Sequence, residues 1–500
     1  MKLPSILLAL PLTALAAEPT LTVYNQNFAV VRESISMDLK DGLNEVKFSD
    51  ITAHLEPDSV ILRDPSGQVQ LQIREQNFRN DPVSQQMMLS LFEGQEIDFV
   101  VRESQKPDRI VRGKIIRSGY VPHDNAAMQR YGNAYATAQM GMASQTANPI
   151  IEVDGKLQFQ LPGLPIFPAL ADQTILKPEL SWQLNASKAA KLDVELCYVS
   201  GGMSWSADYN LVASKNSDEL DLIGWVTIDN QSGKTFENAR LKLMAGDVSK
   251  IQPGENFAAL GRASLKMDTA SGMAPTVSEK SFDEYHLYTL KDKTTLRDRQ
   301  TKQVEFVRAS GIKSERIYVY DGLYLDPQRW NGWNRQNLRN NEEFGQDSQK
   351  KVAVMREFKN SEANNLGMPL PAGRLRFYQQ DDDRQLEFTG ENTIDHTPKN
   401  ETVRVYTGNA FDLIGERRRT NFKVDSSNKW VDESFEITLR NHKKEAVEIR
   451  VVEHLYRWVN WEITEKSTPF TKTNAQEIEF RVALKPDEEK TITYTVHYSW

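Results

Sequence analysis

Cysteine is nearly absent from this sequence. Cys197 stands alone, which excludes an internal disulfide framework. In LDVELCYV, alternation sets Cys197 with Asp193 and Glu195, opposite Leu192, Val194, Leu196 and Tyr198. A packed strand residue is therefore expected, not a nucleophile. Long apolar runs are also missing: beyond residues 3–15 no stretch approaches the roughly 20 residues that a helix needs to cross a bilayer, so no transmembrane helix is expected. The common chemical signatures fail as well. There is no HExxH, no Cys-x-x-Cys, no GxSxG elbow, no GxxxxGK[ST] and no GxGxxG. Gly201-Gly202-Met203-Ser204 has a serine but lacks the second flanking glycine of an elbow, and reads as a tight turn with a positive φ. Nor is there a basic excess. The chain carries 61 Lys and Arg against 69 Asp and Glu, a net charge of −8, so phosphate backbones and anionic lipid surfaces are poor partners and no nucleic acid is expected.

The first sixteen residues read as a signal peptide. Lys2 precedes the short apolar run 3–15, and Ala14-Leu15-Ala16 supplies the small-x-small pattern before a cleavage site. The expected location is exported, periplasmic or extracellular, with a mature chain starting at Ala17 and a net charge lowered to −9 by loss of Lys2.

The rest is ordinary globular material, 39% hydrophobic and 26% charged, long enough for several units with stable cores. Strand signals dominate it. Within 192–248 lie LDVELCYVSGGMSWSADYNL, LDLIGWVTIDN and ARLKLMAGDV, alternating runs closed by Gly, Asn, Asp or Ser. Asp-Gly and Pro-Ser-Gly turns separate similar runs nearer the N-terminus, and one short helix is expected over 82–92. The fold class is all-β: multidomain antiparallel β-sandwiches with few short helices and a C-terminal domain of immunoglobulin- or fibronectin-like type. The expected division is an N-terminal β domain 17–119, a mobile insertion 120–148, a central β-meander domain 149–252, a flexible linker 253–281, a β domain 282–428 that continues the central core and carries a Trp-rich loop 326–350, and a C-terminal sandwich 429–500. The five-residue match of Val226 to Asn230 with Ile437 to Asn441 is read as shared strand-and-turn grammar rather than duplication.

Four stretches carry a resemblance: GGMSWSADYNL, LIGWVTIDNQSGKTFENARLKLMAGDV, MPLPAGRLRFYQ and EHLYRWVNWEITEKSTPFTKTNAQEIEF. In this order they resemble the DUF4139 family of secreted bacterial proteins, a domain of unknown function sometimes labelled mucoidy-inhibitor-like. The likeness covers most of 180–500, and the segment from residue 21 resembles the β region that often precedes that domain. The resemblance implies an all-β protein of the cell envelope. It brings no catalytic or binding residues, and the two low-complexity insertions and the Trp-rich loop depart from its pattern.

Candidate sites are few. His123, Met128, Met140 and Met142 are soft enough for copper, yet adaptable packing in a mobile insertion is the plainer account, and no metal or other cofactor is expected. Asp381, Asp382 and Asp383 lack the glycine of an EF-hand loop and read as a hairpin tip. His396 beside Asp395 and His454 beside Glu453 cannot form dyads with their neighbours, because adjacent strand residues face opposite ways. The expected ligand-binding surface is Tyr318, Tyr320, Tyr324, Trp330 and Trp333, in YVYDGLYLDPQRWNGWNRQNLRNN: sugars stack on aromatic rings while Asn and Arg bond their hydroxyls. The functional expectation is an exported, non-catalytic envelope protein whose partner is envelope polysaccharide or another envelope protein. The alternative is a hydrolase of envelope polymers whose carboxylates or histidines assemble only in the fold.

Overall fold

A computed structural model describes residues 18–102, 107–120, 148–170, 174–214, 218–246, 248–250, 277–282, 285–326, 328–427 and 429–500. The expected signal peptide, His123, Met128, Met140 and Met142, and most of the two low-complexity segments lie outside these residues. The end of the expected linker does not: Val277–Phe282 is a strand paired with Tyr285–Leu290.

The protein is all-β and multidomain. It divides into two compact units, one of residues 1–206 and 227–304, the other of 207–226 and 305–500. These bounds differ from the divisions at residues 119 and 252 expected from sequence. The reason is strand pairing at long range. Phe28–Leu39 pairs over its whole length with Ala190–Gly201, and Thr20–Tyr24 lies parallel to Phe236–Ala245, so the N-terminal and central segments build one sheet. The same unit holds a sheet of Gly42–Ser49, Glu179–Ala186 and Leu71–Arg79, and a five-stranded sheet with its own small core of Ile97, Phe99, Ile115 and Ile151. Within the expected span 82–92 a helix forms over Gln85–Leu91, where the Ser84 hydroxyl accepts from Met87 N and caps it. At Gly202 the turn has φ +78°, and a Cβ there would sit 2.9 Å from the Gln231 carbonyl oxygen, a position only glycine fills without strain. Cys197 is half-buried, and burial pushes its thiol up from the ordinary range, which suits inert packing.

In the second unit, two layers enclose a core. One contains Lys351–Lys359, Thr402–Asp425, Trp430–Asn441, Glu489–Ser499 and Trp461–Lys466; the other contains Val447–His454, Glu477–Leu484 and Phe470–Asn474; Gln300–Asp321 joins the two by pairing with both Lys351–Lys359 and Val447–His454. The core joins Val431, Phe435, Ile437 and Leu439 of the first layer to Ile449, Val451, Phe480 and Val482 of the second. The segment 429–500 therefore completes its sandwich with strands from 300–425. Parallel pairs here, Met203–Ala213 with Gly373–Gln380 and Gln300–Asp321 with Val447–His454, join strands far apart in the chain.

Each unit contains the same buried asparagine device. Asn230 Nδ2 donates to the Lys234 carbonyl four residues on (2.8 Å) and to the carbonyls of Leu296 and Arg297, while its Oδ1 accepts from Ser232 N (3.1 Å). Asn441 Nδ2 donates to the Glu445 carbonyl (2.9 Å) and to that of Lys485 (2.9 Å), and its Oδ1 accepts from Lys443 N (2.9 Å). Both side chains are wholly buried. The shared apolar-Thr-apolar-x-Asn spelling thus corresponds to a shared turn: one amide holds its own loop and ties it to a second.

Candidate functional site

The strand Trp430–Asn441 alternates strictly, and its inward positions are Val431, Glu433, Phe435, Ile437, Leu439 and Asn441. The same periodicity turns Glu453 inward beside Ile449 and Val451, and Arg417 and Arg419 inward on Thr402–Asp425. Four charges thereby enter an apolar interior, where each needs a partner. Arg417 Nε donates to both oxygens of Glu453 at 3.0 Å, and Tyr494 Oη donates to the same carboxylate. Arg457 binds Glu433: one terminal nitrogen donates to Oε1 at 2.8 Å, and Nε lies 2.7 Å from Oε2 outside hydrogen-bond alignment. Arg419 and Tyr456 donate to the same carboxylate at 3.1 and 3.2 Å. Burial opposes the charge on Arg417, but Glu453 and the neighbouring tyrosines outweigh it and hold its guanidinium well above the usual range. Burial likewise pushes the hydroxyls of Tyr456, Tyr494 and Tyr498 far up, so they stay protonated, and those of Tyr456 and Tyr494 serve as donors to the two carboxylates.

The remaining donors of these arginines hold the Trp-rich loop. Arg457 donates to the carbonyls of Leu338, Arg339, Asn341 and Phe344, Arg419 to those of Glu342 and Phe344, and Arg417 to that of Gly345. Gly345 has φ +81° and lies against the Tyr456 hydroxyl, so no larger residue fits. Six carbonyls between 338 and 345 are thus fixed by side chains from the sandwich. The short helix Arg335–Asn340 begins at Asn334, whose side chain accepts from Asn337 N.

On this base the expected site residues take different places. Tyr320 is wholly buried and donates its hydroxyl to the Gln349 carbonyl (2.7 Å); Tyr318 is buried beside it in the chain's numbering but receives Lys443 Nζ at 2.7 Å. Trp330 is 9% exposed, packed edge-on against Phe344 at 5.1 Å and Trp333 at 5.2 Å. Tyr324 and Trp333 are the open ones, 53% and 44% exposed. The structure therefore brings Trp330 and Trp333 together and separates them from the buried Tyr318 and Tyr320.

Sequence reading missed the tryptophans that join them. Arg339 lies over the rings of Trp458 (3.7 Å) and Trp500 (4.6 Å), while its own carbonyl is held by Arg457. Trp430 tilts onto His497 at 5.9 Å, and Trp461 stands opposite Tyr498 in the ladder. Six of the nine tryptophans thus occupy this end of the unit: Trp330, Trp333, Trp430, Trp458, Trp461 and Trp500. The available signal was the stretch RWVNWEI together with the terminal Trp, all at strand ends. The arrangement offers stacking faces and bordering Asn and Arg side chains on a rigid base, and beside Trp430 the half-exposed His497 holds Asp432 at 2.6 Å.

The other candidates lie elsewhere. His454 Nε2 is 3.0 Å from Asp321 and its Nδ1 3.6 Å from Glu477; the Asp321 hydrogen bond, working against burial, raises its pKa. Glu453 turns the opposite way, into the core. His396 Nδ1 accepts from Ala372 N. Asp381 sits at the turn between Gly373–Gln380 and Leu386–Ile394, closed by Arg384 N donating to its carbonyl. Among the described residues no group of three or more His, Cys, Asp or Glu could hold a metal ion, and no helix is long and apolar enough to cross a membrane.

No curated protein matches the chain. The family model described as Domain of unknown function (DUF4139) matches residues 194–500, which include the whole tryptophan-bearing sandwich. By that match over more than half its length, the chain belongs to the DUF4139 family.

Proposed function

We propose that the chain is an exported, non-catalytic protein of the cell envelope that binds envelope polysaccharide through the tryptophan-rich end of its C-terminal sandwich. The observation that carries this reading is the combination of exposed Trp333 and Tyr324 with a backbone fixed by Arg417, Arg419 and Arg457. Rings held on a rigid base lose little freedom when a sugar stacks on them, which favours affinity. Hydrolysis would need two carboxylates about 5–9 Å apart in an open cleft. Glu433 and Glu453 are closed to solvent and engaged by arginines, so binding is the reading taken.

The test is retention on columns of insoluble envelope polysaccharide or peptidoglycan. Trp333→Ala combined with Tyr324→Ala is expected to abolish retention while the Tm stays within about 2 °C, since both side chains are largely in solvent. Retention equal to that of the wild type would sink the assignment. Export is tested separately by mass spectrometry of the periplasmic or secreted fraction, where the mature chain is expected to begin at Ala17; an intact Met1 there would overturn it.

A further inference from the structure

A second site lies within the same unit and shares no residue with the tryptophan surface. Arg316 and Arg356 stand directly opposite each other in the antiparallel ladder of Gln300–Asp321 and Lys351–Lys359. Like charges facing across a ladder destabilise it. Arg356 is buried and has Asp218 at 2.8 Å. Burial and the facing Arg316 push its pKa below the usual arginine range, and Asp218 only partly restores it. Arg316 is exposed, and no carboxylate among the described residues lies within ion-pair distance of it. Both arginines line a cleft of about 380 Å³, along with Tyr318 and Lys443. The Lys443 ammonium lies 4.7 Å from the centre of the Tyr318 ring. The one carboxylate on the lining is that of Asp412.

The cleft exists because the ladder opens. Ala353 pairs with Asn409, but Lys351 pairs with Ile414, so several residues of Thr402–Asp425 bulge out between them; a second irregularity follows at Val354 and Met355. Bulges that break a ladder beside a cavity usually re-aim side chains for a purpose. At the tip of this one Phe411 is 97% exposed, a ring that no folding argument accounts for. Phe377 and Tyr378 also line the cleft.

We propose that this cleft binds a small oxyanion, carboxylate or phosphate, carried on a flat ring-shaped body. The anion sits between Arg316 and Arg356, where planar guanidiniums offer paired N–H donors and relieve their mutual repulsion by sharing it. Lys443, whose ammonium also meets Glu445 at 3.2 Å, lies beside them, and the ring body lies among Tyr318, Tyr378 and Phe411. A volume of this size takes one such group rather than a long chain.

The experiment is calorimetric titration of the full chain at low salt with benzoate and with phenyl phosphate, beside benzyl alcohol and benzylamine. At least one anion is expected to bind with a Kd of about 1 mM or lower, weakening as salt is added, with no detectable binding of the neutral or cationic compounds; which anion binds more tightly separates the two sources. Arg316→Gln is expected to raise the Kd at least about tenfold with an unchanged Tm, and Phe411→Ala to raise it less. Arg481→Gln, a change of an exposed arginine outside the cleft, should have no effect. The proposal fails if neither anion binds, if benzyl alcohol binds as well as benzoate, or if Arg481→Gln weakens binding as much as Arg316→Gln. Should Arg316→Gln not fold, Phe411→Ala decides alone: an unchanged Kd overturns the proposal.

Discussion

Glu433→Gln is expected to lower the Tm of the unit containing it by on the order of 10 °C. One buried carboxylate faces three guanidinium and hydroxyl donors, from Arg419, Tyr456 and Arg457, with none of the participating side chains more than slightly exposed. Gln keeps the shape and removes the charge, leaving two buried arginines without their counter-ion. Removing one member of a buried pair costs about 3–5 kcal/mol, and for a unit of this size each kcal/mol moves the Tm by about 2–4 °C. The lesion should be local as well as global. Arg457 and Arg419 hold the carbonyls from 338 to 344, so protease cleavage within that loop is expected to appear in the variant and not in the wild type. A Tm lowered by less than about 2 °C, read by scanning calorimetry, would mean the arginines hold the loop without the carboxylate.

The second large effect separates two neighbouring tryptophans. Trp330→Ala is expected to cost about 3–5 kcal/mol in denaturant unfolding, the usual loss for a buried tryptophan, and Trp333→Ala no more than about 0.5 kcal/mol. Trp330 is sandwiched between Phe344 and Trp333 and covered by Arg329 at 4.9 Å, whereas Trp333 closes the row and faces outward. Equal losses for the two variants would show that the row is a single packed unit and that Trp333 is not available for stacking on a ligand.

The contrast between these two residues marks what the sequence disclosed. Alternation identified strands such as Trp430–Asn441, and turn residues bounded them, because both signals are local. The same alternation already placed Glu433 in phase with Val431 and Phe435, and Glu453 in phase with Ile449 and Val451, so the inward charges were legible in principle. Their partners were not. Arg417 and Arg419 arrive from another strand, and Arg457 from the turn after Val447–His454, and nothing in the spacing ties them together. Pairing of distant strands was illegible for the same reason, which is why the N-terminal and central segments looked like separate domains. Within YVYDGLYL, density of aromatics was read as one surface, although the strand ends at Asp321, so that Tyr320 is buried within it and Tyr324, beyond it, lies in solvent. The cleft around Arg316 gave no signal, because a like-charge pair across a ladder is visible only once the register is known.

The parallel pairing of Thr20–Tyr24 with Phe236–Ala245 also sets a timetable. Asn238 Nδ2 donates to Glu18 across 220 positions of chain. At a synthesis rate of about 5–20 residues per second, the first strand waits roughly 10–40 s for that neighbour to be made. Until then it has only its hairpin partner, Phe28–Leu39, and its other edge carries a row of unpaired N–H and C=O groups. The first strand of the described residues therefore stays half-paired until nearly half of the chain has been made, and a polypeptide stalled before residue 236 exposes an edge suited to pairing with another nascent chain.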